Sequence, residues 1–179
     1  MQNPSTLSTT DSFIVETLTS SGDSINYRGT DLTVSTTTRG SISSGSAVPD
    51  NTDLNTTTNY LISFTPTNSL PQNAFLQIGI PNEISVPSNT SDLSCTSVLL
   101  IESTVSCTYS SANRIVTATS GFLVQSYSPS EVQVYINNLT NPTEAITTES
   151  FTIQTFTSDG TAIDYVNTGI TYTKSCNSP

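Results

Sequence analysis

Ser12–Val34 reads SFIVETLTSSGDSINYRGTDLTV, and Ser150–Tyr172 reads SFTIQTFTSDGTAIDYVNTGITY. The two stretches align without a gap at an offset of 138 residues. Between Asn3 and Ser35, 14 of 33 positions are identical to their partners. Abundant Ser and Thr inflate such a match. They do not account for Asn3-Pro4 against Asn141-Pro142, Phe13 against Phe151, Gly22 against Gly160, Ile25 against Ile163, or Tyr27 against Tyr165. Within each copy apolar residues alternate with polar ones (Phe151, Ile153 against Thr152, Gln154), the signature of a half-buried strand. Ser21-Gly22-Asp23 and Ser158-Asp159-Gly160 mark tight turns in which glycine supplies positive φ. The chain therefore reads as one full module plus the tail of another, an array rather than an enzyme.

Outward from the repeat, period-2 runs continue. Tyr60, Ile62 and Phe64 share one face, as do Leu76, Ile78 and Ile80, and Val132, Val134 and Ile136. We expect strands at 12–19, 31–36, 58–65, 74–80, 98–105, 113–119, 121–126, 131–137, 150–157 and 168–174. Helical periodicity is nearly absent, and Pro66, Pro71, Pro81, Pro87, Pro129 and Pro142 fall at run ends, where they remove no ladder hydrogen bond. The fold class is all-β: an Ig-like or jelly-roll β-sandwich with an extra N-terminal strand segment. With no Trp in the chain, an immunoglobulin label is architectural only. Three regions are expected: a strand segment over 1–37, a Ser/Thr/Gly-rich linker over 38–56, and the sandwich over 57–179. A linker of this composition could also carry O-glycans.

Composition excludes several function classes. The net charge is −10, and the four basic residues are Arg28, Arg39, Arg114 and Lys174. Four scattered cations cannot displace a counterion atmosphere or grip an anionic bilayer, so neither nucleic acid nor membrane is expected as a partner. Charged residues make up 10% of the chain, well below the usual share, while Ser and Thr supply about a third. No apolar run is long enough to span a bilayer, and MQNPSTLSTT lacks the basic and apolar regions of a signal peptide. The chain reads as a mature product or a window of a longer polypeptide.

Cys95 and Cys107 flank an apolar run, Val98–Ile101, and fit a short loop or hairpin closed by a disulfide. Such a bond implies an oxidising, extracellular or cell-surface location. Cys176 is then left over, for another chain or as a free thiol. Without histidine or CxxC spacing, no metal site and no cofactor are expected. No spacing among the 14 acids selects a catalytic pair, so the chain is not expected to be an enzyme. Calcium at Asp159 and Asp164 is a weaker reading beside a plain turn role. Asn55, Asn89 and Asn138 head N-x-[ST] acceptor sequons, with Asn55 and Asn89 better placed, in loops.

The N-terminal copy admits three arrangements. It is the last strands of a preceding tandem module, or it adds strands to a neighbouring subunit, or it folds back into one domain with its partner copy. The first two give a linear polymer. A lone hairpin is marginal in water, so Phe13, Val15, Leu18, Ile25, Tyr27 and Leu32 are the expected assembly interface.

TNYLISFTPTNSLPQNAFLQIGIP (Thr58–Pro81), the cysteine pair, and VYINNLTNPTEAITTESFTIQTFTSDGTAID (Val134–Asp164) together resemble tandem Ig-like modules of secreted and surface fibre or adhesin proteins of ciliates and related protists. The resemblance covers most of 57–175. It implies β-sandwich modules in tandem, used as extracellular structure or adhesion, and no catalytic residues. The expected function is thus a structural subunit or repeat of an extracellular filament, bearing glycans and joined to identical subunits or adjacent repeats. The alternative is a cell-surface adhesin or carbohydrate-binding module.

Overall fold

The computed structural model describes residues 9–36, 38–101, 104–122 and 130–174. Among them, strands follow in chain order: β1 (Val15–Leu18), β2 (Ser24–Arg28), β3 (Gly40–Pro49), β4 (Thr57–Pro66), β5 (Phe75–Gly79), β6 (Ser94–Leu99), β7 (Ser106–Ser110), β8 (Ile115–Thr119), β9 (Val132–Thr140), β10 (Thr152–Phe156) and β11 (Ala162–Val166). The fold is all-β. β1 and β2 form a two-stranded sheet of their own, and the other nine run in the order β6-β9-β4-β3-β11-β10-β5-β8-β7. Neighbours are antiparallel except at β3 and β11, which are parallel and share only the pairs Asp164↔Gly40 and Tyr165↔Ser41. That short junction divides the nine strands into a leaf of four (β6, β9, β4, β3) and a leaf of five (β11, β10, β5, β8, β7).

The expected inward faces make the core. Tyr60, Ile62, Leu76, Ile78, Val116, Val134, Ile136, Phe151, Ile153 and Ile163 are fully buried. They come from both leaves, because a sheet with one apolar face must cover it with another. At roughly 25 cal/mol per Å² of apolar surface removed from water, this interior is the main stabilising term. Tyr60 is fully buried within it, with Phe151 tilted against it at 5.8 Å and Tyr172 edge-on at 6.0 Å.

The ends of the sheet, β6 and β7, are not hydrogen-bonded to each other. Cys95 on β6 and Cys107 on β7 are joined by a disulfide, with Cα atoms 5.6 Å apart. The bond is the covalent seam that closes the nine strands on the side opposite the β3/β11 junction. It closes the short loop expected from the twelve-residue spacing, although β6 and β7 do not pair as a hairpin. The expected strand over 98–105 is replaced by β6, ending at Leu99, and β7, starting at Ser106. Leu100 takes φ 57, which ends β6, and Val98, Leu99 and Leu100 are exposed.

The structure also corrects the expected linker. Residues 38–56 contain β3, a ten-residue strand in the middle of the sheet, pairing with β4 over most of its length. Its small residues have a packing reason. A Cβ on Gly45 would sit 2.5 Å from Ile170 Cδ1, so the close approach of Ile170 demands glycine. The sandwich body therefore starts at Gly40, not at residue 57. The runs 31–36 and 168–174 are not regular strands among the described residues; each carries one isolated bridge, Thr9↔Ser35 and Thr147↔Thr173, beside further backbone hydrogen bonds. The expected strand over 121–126 lies mostly outside the described residues, as does Cys176.

Candidate assembly interface

The two sequence copies fold as structural copies at the same 138-residue offset. β2 (24–28) falls on β11 (162–166), and β1 (15–18) on 153–156 of β10. Registers coincide: Val15↔Arg28, Glu16↔Tyr27 and Leu18↔Ser24 match Ile153↔Val166, Gln154↔Tyr165 and Phe156↔Ala162. The flanking segments also match. Phe13 N–H donates to Leu32 C=O at 2.9 Å, and Phe151 N–H to Ile170 C=O at 2.8 Å. Thr10 N–H reaches Val34 C=O and Thr148 N–H reaches Tyr172 C=O, each at 2.9 Å.

Hydroxyls extend the ladder in both copies. Ser12 Oγ accepts Leu32 N–H, and Ser150 Oγ accepts Ile170 N–H, each at 3.1 Å. Thr10 Oγ1 accepts Val34 N–H at 3.0 Å, and Thr148 Oγ1 accepts Tyr172 N–H at 3.1 Å. Each hairpin turn is closed by a threonine hydroxyl accepting a backbone N–H at 3.0 Å: Thr19 takes Asp23, and Thr157 takes Thr161. Gly22 and Gly160 take φ 92 and 87 there, as the turn reading required. In the second copy Asp159 also accepts the Thr157 hydroxyl and the Thr161 N–H, which hold its carboxyl below the ordinary carboxylate range.

The copies differ in their surroundings. β10 lies antiparallel to β5, and β11 parallel to β3. Phe156 stacks on Phe75 at 4.8 Å, and the Arg39 guanidinium sits 5.3 Å from the Tyr165 ring centroid. Among the described residues, β1 and β2 pair only with each other. Phe151, Ile153 and Ile163 are fully buried, while their counterparts Phe13, Val15 and Ile25 are 38%, 55% and 59% exposed. Leu18 and Tyr27 are exposed, and Leu32 is half-buried. Sequence reading missed Ile14 and Val34, exposed at 67% and 44%. The signal for Val34 was its alignment with Tyr172, a core residue.

One charge is buried where the second copy meets the body. Asp164 is fully buried. Its carboxylate accepts Thr67 Oγ1–H at 2.9 Å, Asn68 N–H at 3.2 Å and Asn68 Nδ2–H at 2.8 Å. Among the described residues no cation pairs with it, and burial pushes its carboxyl above the ordinary range against those hydrogen bonds. Its counterpart in the first copy is Asn26. The duplicated Asn-Pro also gains a reason in the second copy. Asn141, almost fully buried, accepts the Tyr60 hydroxyl and donates to Asn51 C=O at 2.7 Å and Asp53 C=O at 2.8 Å. Burial, then the nearby Tyr172, drive the Tyr60 phenol pKa upward. Asn3 lies outside the described residues.

The other expected sites are scattered. Asn55 is exposed; its backbone N–H donates to Pro142 C=O at 3.0 Å, while its side-chain amide makes no hydrogen bond among the described residues. The amide of Asn89 donates to Asp92 Oδ1 at 3.2 Å, and that of Asn138 to Asp92 C=O at 2.7 Å. Asp159, in an exposed turn, and buried Asp164 share no partner, and no metal-binding group of three or more His, Cys, Asp or Glu occurs among the described residues. No described helix is long and apolar enough to cross a membrane. The sequence matches no protein-family model and no curated protein.

Proposed function

We propose that this chain is a structural unit of an extracellular filament, one in a row of like β-sandwich units, joined to its neighbour by strand docking of β1–β2. A single observation carries the reading. The hairpin repeats β10–β11 in register, yet holds in solvent the side chains that are core in β10–β11. An exposed strand edge with an apolar face is an aggregation hazard unless something covers it, and a filament makes that edge its joint. The disulfide supports an oxidising location. The resemblance to protist surface modules agrees with it, and N-glycans, first at Asn55, fit the same setting.

Negative-stain microscopy of the native material tests the proposal. A domain of one repeat length has a diameter of about 35–40 Å, so rods with an axial repeat near that value are expected. Isolated globules would overturn it.

A further inference from the structure

The bare hairpin specifies its own partner. Within 147–174, where the first copy is also described, eight residues of the second copy are buried: Thr148, Phe151, Ile153, Thr155, Ile163, Asp164, Ile170 and Tyr172. Their counterparts are Thr10, Phe13, Val15, Thr17, Ile25, Asn26, Leu32 and Val34. Four are identical, two exchange one branched apolar residue for another, one exchanges a carboxylate for its isosteric amide, and one replaces Tyr172, whose hydroxyl donates to Thr52 C=O, with the smaller Val34. Outward positions have diverged more freely, as at Ser21 for Asp159, Gly29 for Asn167 and Asp31 for Gly169, while Arg28 replaces Val166, which packs against the core. Side chains that met only water would be under no constraint to keep core volumes and shapes. The first copy carries the burial pattern of a strand pair inserted into a sandwich.

We propose that β1–β2 is the closing hairpin of a second sandwich of this type. Its partner is a β3-to-β9 body that has no closing hairpin of its own. A β5-type strand would run antiparallel along β1, and a β3-type strand parallel along β2, as β5 and β3 flank β10–β11 here. This names the partner in the docking reading above and rests on that reading. A second copy of this chain is a poorer fit, because its slot already holds β10–β11, fastened by the Phe75–Phe156 stack and the Asp164 hydrogen bonds. The repeat boundary follows. One 138-residue period runs from residue 37 to residue 174, so the linker-like stretch opens a unit instead of joining two. Between Ser35, bridged to Thr9, and Gly40, the first residue of β3, lie four residues. They reach at most about 18 Å, so successive units must abut.

A fused chain tests this: residues 38–140 placed directly before Asn3, which recreates the natural junction of Thr140 with Asn141. In the unfused chain, amides of Val15–Leu18 and Ser24–Arg28 exchange quickly, since a bare hairpin opens at almost no cost. In the fused chain they should slow by about a hundredfold or more, toward the rates of β10 and β11. Leu18→Cys should cross-link to Phe75→Cys of the added copy, following the Phe156↔Phe75 register, and not to Ile78→Cys. Hairpin amides left unprotected while residues 38–174 of the same molecule stay protected would overturn the proposal. A second variant guards against failure of the added copy to fold: residues 3–36 replace 141–174 behind the resident body. A cooperative melt supports the assignment, and its absence overturns it. Protected hairpins with only globules in the microscope would sink the filament and leave the partner standing; filaments with unprotected hairpins would sink the partner and the strand-docking joint and leave only the filament.

Discussion

Breaking the Cys95–Cys107 seam is the most direct test of how the sandwich closes. The bond encloses a loop of about 13 residues, for which chain entropy gives about 3 kcal/mol at 25 °C. For a chain of this length that corresponds to a fall in Tm of about 6–12 °C. Location adds a second, spatial expectation. Among the described residues β6 is paired only to β9, and β7 only to β8, so the two edges lose their covalent link when the bond goes. Their amides should then lose protection first, while β4, β5 and β9 keep theirs. The comparison is Cys95→Ala/Cys107→Ala against the parent, both with Cys176→Ser to prevent thiol exchange. Calorimetry reads Tm, and hydrogen exchange reads the edges. A Tm within about 2 °C of the parent, with β6 and β7 still protected, would refute the seam argument.

Three further outcomes follow. Asn141→Ala strands the buried Tyr60 hydroxyl and the carbonyls of Asn51 and Asp53, and should cost about 2–3 kcal/mol in urea unfolding; a loss below about 0.5 kcal/mol would count against the bridge. Arg114 holds the 80–84 turn, donating Nε to Ile80 C=O at 3.2 Å and Nη2 to Pro81 and Ile84 C=O. Arg114→Met should therefore lose about 2–3 kcal/mol, with little change on raising salt, since the acceptors are carbonyls. Asp164 has its carboxyl raised by burial, so the folded state holds a proton that the unfolded state releases near pH 4. Its contribution to stability is greatest below that pH and falls as pH rises toward the folded pKa. Asp164→Asn removes this slope and should gain on the parent as pH rises from 3 to 8. A stability difference that is flat with pH would refute it.

Alternation was legible wherever a strand has one core face and one polar face. Tyr60, Ile62 and Phe64 announce β4, and Val132, Val134 and Ile136 announce β9. The signal failed where packing is unusual. β3 lies under Ile170, which admits Gly45 and its serine neighbours, so its place in the sheet is secured by backbone pairing more than by apolar side chains. β11 buries the consecutive residues Ile163 and Asp164 opposite a register shift in β10, which breaks the period of two. The apolar run Val98–Leu100 invited a strand between the cysteines, but those side chains lie in solvent and Leu100 ends β6. The seam itself was out of reach, since sequence spacing cannot say which strands end a sheet.

The hydroxyl-rich background hid part of the assembly signal. Composition alone favours Ser and Thr identities in the repeat. Several of them close hydrogen bonds at the ends of the strand ladder: Thr10 with Thr148, Ser12 with Ser150, and Thr19 with Thr157 each accept the equivalent backbone N–H. In a chain with few charges, hydroxyls are the available means of satisfying backbone donors where a strand stops short of its neighbour, and no buried side-chain polar atom among the described residues is left without a partner. These identities are thus part of the repeat's geometry. They strengthen the case that the bare hairpin was shaped to sit where its copy sits.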